Sequence, residues 1–215
     1  KDLYDQVSLW AQALKDCGVK KGDRVAACMP NMPETIIACL ATASLGAIWS
    51  SASPDFGVQG LLDRFSQIEP TVFIAVDGYY YGDKILDCLS KIQEVKTRLV
   101  GLKKTVIVPF INENPDIQEL SNSVTSPNFI GLYESSAIVF EPVNFNFPLF
   151  IMFSSGTTGA PKCIVHGHGG TLIQHIKEHR LQCNIKPGDK VFYLTTCGWM
   201  MWNWTVSNLL LGSTI

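Results

Sequence analysis

A chain of 215 residues that is 47% hydrophobic and 17% charged has enough apolar material for a sizeable core, which excludes a disordered or fibrous polymer and predicts one globular domain or part of one. Its net charge of −2, with acids and bases interspersed, offers no basic surface for nucleic acid or an anionic membrane, so any anion must be bound at a local site. No secretory leader pattern and no apolar run long enough to span a bilayer is readable, which predicts a cytoplasmic protein.

Taken in chain order, Leu3, Val7, Trp10 and Leu14 recur at helical spacing, and the helix they predict stops before Gly18. A strand follows over Arg24 to Met29. Asn31 is the expected N-cap of the next helix, with Pro33 in its first turn, Ile36, Ile37, Leu40 and Ala41 on its apolar face, and Gly46 at its end. Further expectations are a strand over Ala47 to Ser51, a helix near Gly57 to Gln67, a strand over Thr71 to Val76, a helix around Lys84 to Lys96 and a strand over Thr105 to Val108. Strands alternating with helices imply right-handed crossovers, hence an α/β fold with a mainly parallel sheet flanked by helices. Residues 112–147, rich in Asn with several Pro, break the rhythm and read as an irregular excursion with one short helix near Asp116 to Asn122. Beyond it, the apolar run ending at Phe153 predicts a strand buried on both faces. A short strand at Cys163 to Val165, a helix from Thr171 to Gln182, a strand over Lys190 to Thr195 and a helix near Met201 to Leu211 complete the series.

The most informative segment leaves that buried strand: Ser154-Ser155-Gly156-Thr157-Thr158-Gly159-Ala160-Pro161-Lys162. Gly156 and Gly159 tolerate positive φ, so successive N–H groups can turn inward and form an anion-binding concavity. Ser154, Ser155, Thr157 and Thr158 add hydroxyl donors, Lys162 adds a mobile point charge, and Pro161 restrains the loop. The spacing is not the Walker pattern, which needs four residues between its glycines and then Lys-Ser/Thr. The plainer reading, a Ser/Thr/Gly linker, fits poorly with a loop rooted in a core strand, so phosphate binding is the expectation.

These nine residues resemble the signature of the acyl-adenylate-forming superfamily: acyl-CoA synthetases, luciferases and peptide-synthetase adenylation domains. The flanks Cys163-Ile164-Val165-His166-Gly167-His168-Gly169-Gly170, Leu172-Ile173-Gln174-His175 and Thr195-Thr196-Cys197-Gly198-Trp199-Met200-Met201-Trp202-Asn203 are similar to the acetoacetyl-CoA synthetase branch of it. The resemblance implies part of the large N-terminal AMP-binding domain over 1–215, truncated at both ends, since Lys1 opens a helix and Gly212-Ser213-Thr214-Ile215 opens a strand. It implies an acid-thiol ligase in which acetoacetate attacks the α-phosphorus of ATP, pyrophosphate leaves, and CoA displaces AMP. Acetyl- or another short-chain acyl-CoA synthetase, or a non-catalytic nucleotide-binding module, stays open as an alternative. In this scheme Ser154, Ser155, Gly156, Thr157, Thr158, Gly159 and Lys162 hold the nucleotide with Mg²⁺ at its phosphates, and Lys162 and Thr158 act on the leaving pyrophosphate. The acidic Mg²⁺ ligand, the ribose-gripping aspartate and a C-terminal lysine have no counterpart here. The chain is therefore expected to need the remainder of its enzyme for turnover.

Other constellations carry competing readings. Trp199, Trp202 and Asn203 are expected to wall a substrate pocket, the amide orienting a ketone oxygen, whereas Met201 and Trp204 read as core. His175-Ile176-Lys177-Glu178-His179 fits a zinc-peptidase pattern, but after His179 the only acidic residue is Asp189 and no further His follows, so a polar helix face is the better account. His166 and His168 either reach a ligand or bond to local backbone. Asp23-Arg24 and Asp63-Arg64 read as surface charges. Seven cysteines, at 17, 28, 39, 88, 163, 183 and 197, contain no Cys-x-x-Cys pair and read as reduced thiols rather than a disulfide framework or metal site. The sequon Asn203-Trp204-Thr205 reads as chance, and no metal ligand set is assigned.

Overall fold

The computed structural model describes residues 1–154 and 159–215. Its elements are α1 (Asp2–Asp16), β1 (Arg24–Cys28), α2 (Pro33–Ser44), β2 (Ile48–Ala52), α3 (Val58–Phe65), β3 (Val72–Val76), the hairpin β4 (Gly78–Tyr81) and β5 (Lys84–Asp87), α4 (Leu89–Arg98), β6 (Lys104–Val108), β7 (Ser123–Thr125), α5 (Ser126–Ile130), β8 (Pro148–Phe153), β9 (Cys163–Gly167), α6 (His168–Lys177) and α7 (Met200–Val206). A π-helical turn, Glu178–Gln182, prolongs α6, and a 3-10 turn, Ser207–Leu211, prolongs α7.

Seven strands form one sheet in the order β7-β6-β3-β1-β2-β8-β9, parallel throughout except for the β8–β9 pair. The central register runs Val25↔Trp49 toward β2 and Val25↔Val72 toward β3. Because side chains alternate across a strand, β1 sends Val25 and Ala27 into one core and Ala26 and Cys28 into the other. The first core takes Trp10 and Leu14 of α1, Ile37 and Ala41 of α2 and Trp202 of α7. Leu61 and Phe65 of α3 and Ile92 and Val95 of α4 close the opposite face. Two covered faces explain why these strands read as continuous apolar runs. Among the described residues no helix is long and apolar enough to cross a membrane.

Five local expectations are corrected. Met32, not Asn31, caps α2, and the Asn31 side chain instead accepts a hydrogen bond from Trp202 Nε1 at 3.0 Å. The helix expected from Lys84 begins only at Leu89, because Tyr79–Tyr81 folds back on Lys84–Leu86 through a turn at Gly82 (φ 56°), forming the β4–β5 hairpin. No helix covers Asp116 to Asn122. Those residues are turns, with the Asp116 carboxylate accepting the Gln118 N–H, and the helix forms at Ser126–Ile130, where Pro127 suits a first turn. β8 is buried only at Phe150 and Ile151, since its outer neighbour is the exposed edge strand β9. Residues 190–195 make a single bridge, Lys190↔Thr214, rather than a strand, for want of a longer partner among the described residues. Within the excursion, the buried Asp77 carboxylate accepts the N–H groups of Phe110, Ile111 and Asn112, which fixes the exit of the chain from β6.

Candidate functional site

Parallel strands β1, β2 and β8 are neighbours, so their carboxyl ends at Met29, Ala52 and Ser154 share one edge of the sheet, where open α/β folds bind ligands. Two sequence motifs meet there. The first is the loop 154–162, which joins β8 to β9 as the tip of an antiparallel hairpin whose last pair is Phe153↔Cys163. Its base is closed twice: the Ser154 N–H donates to the Lys162 carbonyl and the Lys162 N–H donates to Ser154 Oγ, each at 3.0 Å. Gly159 holds φ 97°, a conformation that favours glycine. Ser155, Gly156, Thr157 and Thr158 lie outside the described residues. Lys162 is exposed, and the Pro161 carbonyl accepts from Gln67 Nε2 at 2.8 Å. Gln67 and Arg64 were not singled out as site residues by sequence reasoning. Arg64 sits 4.4 Å over the Phe56 ring and 5.9 Å from the Phe153 ring, beside the loop's root.

The second motif, Thr196 to Trp199, is bonded to the carboxyl ends of β1 and β2. Cys197 Sγ donates to the Met29 carbonyl at 2.7 Å, and Ser51 Oγ donates to the Cys197 carbonyl at 2.6 Å. Burial pushes the Cys197 thiol up to about 12, so it serves as a neutral anchor rather than a nucleophile. Trp199, Trp202 and Asn203 then diverge. Trp199 is 57% exposed at the start of α7, Trp202 is 1% exposed in the core, and Asn203 is 5% exposed. Asn203 Nδ2 donates to Met152 Sδ at 3.0 Å, leaving Oδ1 as its unpartnered atom. Trp202 is thus a core residue anchored to Asn31, and the three do not wall one cavity. The free atom of Asn203 is an acceptor, which suits a donor better than a ketone oxygen.

A cavity of about 620 Å³ does open between β9, α6 and α7, lined by His166, Gln174, His175, Glu178, Met201 and Trp204 among others. Of the His-x-x-Glu-His pattern, His175 and Glu178 belong to this lining, whereas His179 is fully buried outside it. Ser207 Oγ lies 2.9 Å from His175 Nδ1, 2.9 Å from His179 Nε2 and 2.7 Å from the Trp204 carbonyl. A carbonyl only accepts, so the single hydroxyl proton goes to Trp204 and both imidazoles donate to Ser207. That geometry ties the rings to a serine rather than to a shared metal point, and among the described residues no group of three or more His, Cys, Asp or Glu could hold a metal. Burial, helped by His179 and His166, pushes His175 down to about 4; burial also lowers His179, so both rings are neutral at pH 7. His168, half-buried at the start of α6, is lowered by burial too, and its Nε2 has no partner. No sequence signal marks Ser207, which lies 28 residues beyond His179 and meets it only through the packing of α6 against α7.

A family model described as AMP-binding enzyme matches residues 1–215. Acetoacetyl-coenzyme A synthetase of Rhizobium meliloti (strain 1021) is 54% identical over 215 residues, which is 100% of this chain and 33% of that protein. Acetoacetyl-CoA synthetase of Mus musculus is 49% identical over 220 residues, again 100% of this chain and 33% of the relative. The solved structure of acetoacetyl-CoA synthetase from Streptomyces lividans superposes with a TM-score of 0.93 at 41% identity, covering 100% of this chain and 32% of that one. The chain therefore spans about a third of the length of the relatives it matches.

Proposed function

Because this chain belongs to the AMP-binding enzyme family, we propose that it is the part of an ATP-dependent acid-thiol ligase that grips the triphosphate and forms one wall of the acid site, in an enzyme that makes acetoacetyl-CoA from acetoacetate, ATP and CoA. The observation that carries this reading is the loop 154–162, a hydroxyl- and glycine-rich hairpin tip pinched shut at its root and set on the ligand-binding edge of the sheet. A hairpin clamped at its base keeps a hydroxyl- and glycine-rich stretch and Lys162 at one point of the sheet edge, which suits a polyanion.

Negative charge grows on pyrophosphate as the carboxylate attacks the α-phosphorus, and donors aimed there stabilise that charge. Lys162 and Thr158 take this role, while Ser154, Ser155, Thr157 and the N–H groups of Gly156 and Gly159 orient the tail. Mg²⁺ rides with the triphosphate in this scheme. The loop's own donors act on the phosphate oxygens. The relatives' printed names support acetoacetate as the acid. CoA enters in the second half-reaction, and both half-reactions need residues outside this third of the enzyme. By itself the chain is expected to give no turnover.

ATP–pyrophosphate exchange in the complete protein tests the reading. Exchange that depends on acetoacetate is expected; exchange indifferent to added acid would leave nucleotide binding without ligase chemistry.

A further inference from the structure

The His175–Ser207–His179 cluster has no part in gripping the nucleotide, yet one member, His175, lines the 620 Å³ cavity next to the strand that continues from the loop, and the other two are tied to it through the Ser207 hydroxyl. With Nδ1 spent on Ser207, the remaining polar atom of the His175 ring is Nε2, and at rest it is a bare acceptor. Two groups beside it are already engaged with each other: Gln174 donates one amide N–H to Glu178 at 3.1 Å, and the Glu178 carboxylate also pairs with Lys177 at 3.0 Å. A second carboxylate beside Glu178 would compete with it for Lys177, so an acid in the cavity is placed with its carboxyl away from Glu178 and its far end toward His175. A 3-oxo group there needs a donor.

We propose, building on the ligase reading above, that His175 reads the 3-oxo oxygen of the acid and that Ser207 is the positioning residue that makes this possible. On binding, the Ser207 hydroxyl swings its proton from the Trp204 carbonyl to His175 Nδ1. The ring gives up its Nδ1 proton to solvent and takes one at Nε2, so it stays neutral while Nε2–H donates to the ketone. Ser207 Oγ still accepts from His179 Nε2, which keeps the hydroxyl in place through the exchange. One backbone-directed hydrogen bond is traded for one to the ligand, so the change is close to balanced without ligand and favoured only by an acid that offers an acceptor at that point. The π-helical turn Glu178–Gln182 carries His179 to this serine, a use consistent with the frequent occurrence of such turns at functional sites.

The test is the ¹⁵N spectrum of the histidines in the complete protein at pH 7, without ATP. At rest His175 is expected protonated on Nδ1 and His179 on Nε2. Saturating acetoacetate is expected to move the His175 proton to Nε2, and butyrate is expected to leave it on Nδ1. In exchange assays His175→Phe should lower the preference for acetoacetate over butyrate about tenfold, the worth of one neutral hydrogen bond, and His175→Gln, which keeps a donor, should restore most of it. Ser207→Ala should abolish the tautomer change. An unchanged His175 tautomer in saturating acetoacetate, the same response to butyrate, or equal losses for both acids in His175→Phe would overturn the proposal. Loss of exchange with every acid in the wild-type protein would instead sink the ligase reading, and the spectrum, recorded without nucleotide, would still decide the role of His175.

Discussion

Ser154 and Lys162 hold each other at both ends of the 154–162 loop, one through its N–H to a carbonyl and the other through its N–H to a hydroxyl, both at 3.0 Å. The hydroxyl nearest the strand is thus engaged in shaping the hairpin, and it accepts rather than donates in that bond. Ser154→Ala removes one of the two closures and is expected to cost about 1 kcal/mol of stability. It should raise the KM for ATP more than it lowers kcat, which steady-state kinetics of the complete protein would read.

Lys162 and Thr158 are proposed to act where charge develops. Replacing either by Ala is expected to slow adenylation by about 100-fold, corresponding to roughly 3 kcal/mol of lost transition-state stabilisation, with no change in melting temperature. Pyrophosphate release at the wild-type rate in both variants would contradict the assignment.

The two buried imidazoles make stability depend on acid. A histidine held at about 4 in the folded state and near 6.5 when unfolded takes up its proton only on unfolding between those values. The contribution is therefore fully present above pH 6.5, falls as pH drops toward 4 and is flat below. For His175 the loss is on the order of 3 kcal/mol. His175→Phe should flatten this limb of the stability profile, as denaturant titrations at pH 7 and pH 4.5 would show.

Trp202 is a core residue with a hydrogen bond to Asn31 at 3.0 Å and exposure of 1%. Trp202→Phe is expected to destabilise the fold by about 2 kcal/mol through lost packing volume, with the exposed Asn31 oxygen returning to water, while leaving the acetoacetate-to-butyrate preference unchanged. A shifted preference at unchanged stability would return Trp202 to the acid site.

The parallel sheet was legible because period and punctuation agree: Val25 to Cys28 and Val72 to Val76 are apolar runs between helices with clear stops such as Gly18 and Gly46. The β4–β5 hairpin was not, since Lys84 to Asp87 have alternation too weak to compete with the helical pattern that follows, and the pairing that settles it is with Tyr79 and its neighbours. The expected strand at Lys190 to Thr195 has the right residues, but among the described residues its ladder stops at Lys190↔Thr214. The 154–162 loop could be singled out as a candidate because its chemistry is contiguous. The Ser207 cluster could not, because His175, His179 and Ser207 become one unit only when α6 packs on α7. Trp202 misled for a related reason: an aromatic beside a ligand edge and an aromatic beneath it have the same sequence signal, and only its contact with Asn31 separates them.

A crystal of the complete protein grown with ATP is the most direct measurement. The β- and γ-phosphates are expected within hydrogen-bond distance of the segment from Ser154 to Lys162, with the Lys162 ammonium against a phosphate oxygen. A triphosphate bound elsewhere, with that segment touching only solvent, would contradict the account.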